Sequence, residues 1–136
     1  MESDISDALR EIPKWISQGL NQDAITFAEK LGRYLAQNKL SSSQIRNAFG
    51  AVKKMQMKTL SQTFDLDLLL MKPRLAYSVE RRTKHNNQPA KDLKQVLSAG
   101  IDPILNSDEK SKLDYFQNFV NFFEAILAYY KAEGGI

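Results

Sequence analysis

The chain has 136 residues, 43% of them hydrophobic, and no cysteine. That size and composition suit one folded domain rather than disorder, and exclude a disulfide framework, a thiolate metal site and a cysteine nucleophile. The net charge of +3 is unevenly spread: residues 1–29 carry two basic and six acidic residues, residues 30–94 fourteen and four, and residues 95–136 three and six.

In chain order, apolar residues recur at helical spacing and no strand-like alternation is sustained, so the fold class is all-α. A first segment over 4–17 is interrupted by Pro13, which predicts two short pieces or a kinked helix. A second, over 23–37, places Ile25, Ala28, Leu31 and Leu35 on a core stripe, with Phe27 and Tyr34 alongside. Ser41 and Gln44 form a capping-box start for a third helix over 42–58, with Ile45, Phe49, Val52 and Met55 or Gln56 facing inward. A fourth helix is expected over 65–82, rich in leucine at its start and bent near Pro73. Residues 83–89 are polar and end in Pro89, which predicts an exposed loop. A shorter helix over 90–99 should stop at Gly100. The last, over 109–132, carries Phe116, Phe119, Val120, Phe123, Ile126, Leu127 and Tyr130 as a wide apolar stripe, with Phe122 and Tyr129 at its edge. The expectation is one compact domain over 1–136, a bundle of five to six helices whose first 20 residues form an N-terminal helical segment. No stretch reaches the ~18 apolar residues of a membrane span. No basic start is followed by an apolar run, so a signal peptide is not expected and a cytoplasmic location is.

The chemistry-bearing residues argue against an enzyme. The lone histidine, His85, sits in the expected loop with no carboxylate placed to orient it. No carboxylate pair recurs at helical spacing among apolar residues, as acid–base work requires. One histidine and no cysteine do not make a usual zinc site, and isolated glycines do not make a phosphate-cradling loop. Neither a cofactor nor a metal is expected.

The positive middle of the chain points instead to a polyanion, because cations that neutralise phosphates release condensed counterions. Arg46 and Lys53 lie seven apart, two turns of the third helix, with Lys54 and Lys58 nearby and Gly50 leaving room between. On the fourth helix Arg74, Ser78 and Arg81 share a face, Arg82 beside them, and Lys72 precedes the bend at Pro73. Two such faces can contact several phosphates of one strand without reading its sequence. Tyr77 is the one ring placed among these cations, although a tyrosine bordering the core is the more ordinary reading of its position. A helical adaptor whose basic face binds an acidic protein fits the same charges.

Three segments resemble the small-subunit family of the type III-A CRISPR effector, the Csm complex. Leu40–Phe49 (LSSSQIRNAF) is similar to its polar-capped helix start, and Leu70–Tyr77 (LMKPRLAY) with Arg81 to its basic block. Phe119–Lys131 (FVNFFEAILAYYK) with Gly134 and Gly135 is similar to its closing helix. The three lie in the family's order. The resemblance implies a cytoplasmic subunit without nuclease activity, stacked head to tail in several copies. Its implied partners are guide RNA, target RNA, other copies of itself, and the backbone and large subunits of the complex. By position it implies RNA contact at Arg46, Lys72, Arg74 and Arg81, with Lys53 and Lys54 next. The chain departs from the family pattern at Glu80, where a glycine often precedes the trailing arginine.

Overall fold

The computed structural model describes residues 1–58, 62–80 and 87–135, of which 78–80 through the backbone alone. Among them are six helices and no strand. They are α1 (Glu2–Gln18), α2 (Gln22–Gln37), α3 (Ser42–Gln56), α4 (Phe64–Glu80), α5 (Gln88–Leu105) and α6 (Glu109–Ala132).

The helices share one core built around α6. That helix packs most extensively along α2 and also touches α1, α3 and α5, while α5 lies against α1 and α4. A helix with neighbours on several sides must be apolar on several sides. Phe122, expected at the edge of the α6 stripe, is accordingly as buried as Phe119 and Phe123. Aromatic contacts tie the surrounding helices to it: Trp15 of α1 and Phe27 of α2 meet Phe122 at 5.8 and 6.4 Å. Phe49 of α3 and Phe64 of α4 meet Phe123 and Phe116 edge-on at 5.2 and 5.0 Å. Phe49 is only half-buried, and Met55 rather than Gln56 completes the buried side of α3.

Two expected breaks do not occur. Pro13 lies inside a single continuous α1, so of the two alternatives expected there the two short pieces do not occur. A proline costs about 3 kcal/mol inside a helix, but Ile12, Trp15 and Ile16 around it are all buried, each worth about 1.5–3 kcal/mol. Gly100 does not stop α5, which runs on through Pro103 to Leu105. A Cβ on Gly100 would sit 2.8 Å from Cδ1 of Phe119, so this glycine serves the approach of α5 to α6. At the other end of α5, Gln88 and a buried Pro89 already belong to the helix. Of the expected loop, 83–86, with His85, lie outside the described residues.

Capping chemistry sets the other ends. Asn21, Ser41 and Asp108 each accept the backbone N–H three residues on. The Ser41 hydroxyl also donates to Gln44 Oε1 at 3.0 Å, so the pair contacts through its side chains. Helix α2 ends with Lys39 at φ 65°, Lys39 N–H donating to Ala36 and Leu40 N–H to Leu35. This pairing usually places a glycine where Lys39 stands. The buried Tyr130 hydroxyl donates to the Leu40 carbonyl at 2.6 Å and clamps that turn to α6.

Candidate nucleic-acid interface

Helix α3 carries Arg46, Gly50 and Lys54 at four-residue spacing on the side facing α4, and Lys58 continues the series in the turn just past the helix end. At 3.6 residues per turn such a series winds slowly round the helix and keeps to one flank. Together with Asn47, Ala51 and Met55 of α3 and Asp67 and Arg74 of α4, it lines an open groove of about 510 Å³. Four cations thus stand against a single carboxylate. Nothing lies within 4 Å of where a Gly50 Cβ would be, so the floor between Arg46 and Lys54 is open. The Arg46 guanidinium also acts on the core edge: burial pushes the Tyr130 hydroxyl pKa up, and the nearby positive charge pulls it part of the way back.

The expected cations therefore separate. Arg46, Lys54 and Arg74 come together in the groove, although they lie on two helices. Lys53 does not line it; its ammonium stands 6.0 Å from the centroid of the Phe49 ring. Lys72 is turned the other way, ion-paired with Asp102 of α5. Arg81 and Arg82 lie outside the described residues, as does the side chain of Ser78. Tyr77, read as bordering the core, is instead 63% exposed, because it lies on the side of α4 opposite Leu68, Met71 and Leu75. Lys58, expected only as a neighbour of the Arg46–Lys53 pair, lines the groove, and so does Asp67, which no charge spacing singled out. The signal for Lys58 was the four-residue series itself.

Other clusters offer different chemistry. A smaller groove of about 180 Å³ between α1 and α2 has Trp15 and Phe27 with Asp4, Asp7, Glu11 and Asp23, against Lys30. Among the described residues, no group of three or more His, Cys, Asp or Glu side chains gathers to hold a metal ion. Every buried side-chain nitrogen or oxygen has a hydrogen-bond partner there, and no helix is long and apolar enough to cross a membrane.

No curated protein and no solved structure matched the chain. The profile of the Csm2 Type III-A family matches residues 20–135, from the end of α1 through the close of α6. Two of the groove's cations, Arg46 and Arg74, sit in segments whose sequence resembles that family. The match covers well over half of the chain, which therefore belongs to the Csm2 Type III-A family, a small subunit of the type III-A CRISPR effector complex.

Proposed function

We propose that the chain is a non-catalytic, cytoplasmic subunit that holds guide or target RNA by its backbone, in the groove between α3 and α4. In the assembled effector, several copies stack along the RNA beside the backbone and large subunits. The observation that carries this reading is the groove's composition: Arg46, Lys54, Lys58 and Arg74 against the lone Asp67. Cations that outnumber the acids lining the same groove attract a polyanion, and arginine takes phosphate in a bidentate grip. With backbone contacts alone the interface is indifferent to base sequence, as suits a subunit that must accept many guides. If Arg81 and Arg82 contact RNA, they extend this grip beyond Arg74.

The test is binding of the purified chain to labelled single-stranded RNA as salt rises. Each neutralised phosphate of a single strand contributes about −0.7 to the slope of log affinity against log salt. Four groove cations give a slope approaching about −3, the same for unrelated sequences of equal length. A chain with no affinity at low salt refutes intrinsic RNA contact and leaves the basic face to an acidic protein.

A further inference from the structure

Helix α4 is apolar on two opposite sides. Phe64, Leu68, Met71 and Leu75 point into the core. Roughly half a turn round the axis, Leu66, Leu69, Leu70, Pro73 and Tyr77 form a second row on the outside. Leu66 and Leu69 are 54% and 52% exposed, and Leu70 and Tyr77 are also exposed. A contiguous row of this kind marks a contact surface, whereas scattered exposed leucines would need no explanation.

We propose that the outer row of α4 is a self-complementary dimer contact of the free chain, in which two copies of α4 pack antiparallel about a twofold axis. Reversal about the midpoint between Met71 and Lys72 sets Leu66 against the partner's Tyr77 and Leu70 against the partner's Pro73. The apolar row therefore maps onto itself. The charges reverse with it. Asp65 and Asp67 occupy the first turns of α4 and Arg74 its later turns. In the reversed copy Asp67 comes within about 3 Å, along the axis, of the register of the partner's Arg74. Asp67 and Arg74 both line the same flank of α4. A twofold axis perpendicular to the plane of the two helices keeps that flank on one side in both copies. Opposite charges then meet beside an apolar seam, the isologous pattern of a twofold interface. Both basic grooves open on that same side of the pair. This twofold association of the free chain is distinct from the stacking of copies along RNA in the proposed function, because an isologous pair closes on itself and does not propagate.

The row spans twelve residues, Leu66 to Tyr77, about 17 Å of helix, which places the contact at the small end of specific interfaces. Sedimentation velocity from low to several hundred micromolar chain should show the mass rising from 15.5 kDa toward twice that value. Leu66→Glu combined with Leu70→Glu should weaken the association by at least about tenfold, equal to 1.4 kcal/mol, with helicity unchanged. Because the chain has no cysteine, register can be tested by mixing a Leu66→Cys population with a Tyr77→Cys population under oxidation. Cross-links between the two populations should outnumber links within either. A monomer at every concentration, a dimer indifferent to the glutamates, or preferential like-with-like links each overturn the proposal. So does a loss of RNA affinity in the glutamate variant with no change in mass, which would assign the row to RNA. RNA binding retained by that variant as the dimer dissolves supports it, and the salt titration of the parent chain tests the groove separately.

Discussion

The Tyr34 hydroxyl donates to Oδ2 of Asp92 at 2.7 Å, joining the exposed end of α2 to the start of α5 across 58 residues. Asp92 is only 7% exposed, yet it is charged. Gln88 supplies a second donor, at 2.8 Å to Oδ1. A buried carboxylate is tolerated only when hydrogen-bonded in this way. Burial, then the bond to Asp92, then its negative charge push the Tyr34 pKa up to about 12.

Tyr34→Phe should therefore lower the unfolding free energy by about 1–3 kcal/mol, since it strips a donor from a buried acceptor. Alkaline pH gives an independent reading. The folded-state pKa of about 12 lies above the ordinary tyrosine value of about 10. The stabilisation is thus complete below pH ~10 and is lost as pH rises toward ~12. Urea midpoints should fall more steeply over that interval in the parent than in Tyr34→Phe. Tyr130, whose hydroxyl is also pushed up by burial, is common to both chains and cancels. Equal slopes would mean that Tyr34 is neither buried nor bonded to Asp92 in solution.

Glycines in two helices should respond in opposite senses to alanine. A Cβ on Gly32 would meet Ile126 O at 2.7 Å and Tyr129 Cβ and Tyr130 N at 2.8 Å. Two of those atoms are backbone, so α2 must move off α6. The expected loss is about 1–3 kcal/mol, larger than the helix-propensity gain of about 1 kcal/mol. At Gly50 the added methyl meets nothing within 4 Å, so Gly50→Ala should gain up to about 1 kcal/mol. Thermal unfolding of the two variants beside the parent checks both signs.

The same contrast explains how far the fold could be read from residues alone. Helix periodicity and capping residues are local, so α2, α3 and α6 are legible, as is most of the core. Gly100 misleads, as does Pro13 in suggesting two pieces, because a local breaking signal is outweighed by distant packing, of Trp15 on Phe27 and Phe122 in one case and of Gly100 on Phe119 in the other. The interface is legible in part for a related reason. Charge placement identifies Arg46, Lys54 and Arg74, but only the position of α4 beside α3 decides that Lys54, and not Lys53, faces the groove. Lys72 looked equivalent to Arg74 because its partner, Asp102, lies 30 residues away. Tyr77 was ambiguous because α4 is apolar on both sides, and apolar spacing does not say which side is inside.

That separation of cations predicts distinct effects on RNA binding. Arg46→Ala with Arg74→Ala removes two phosphate contacts and should reduce the salt slope by about 1.4. Stability should stay within about ±0.5 kcal/mol, as usual for exposed charges. Lys72→Ala removes a cation already held by a carboxylate, so it should leave the salt slope unchanged. Its effect should appear in stability alone, and only by up to about 1 kcal/mol, because the pair is partly exposed. Anisotropy titrations across salt, run beside thermal melts, separate the two outcomes. A Lys72→Ala slope reduced as much as that of Arg74→Ala would mean that the ion pair opens on binding and that Lys72 turns to the RNA. A melting temperature that collapses in Arg46→Ala would instead make that arginine part of the scaffold around Tyr130.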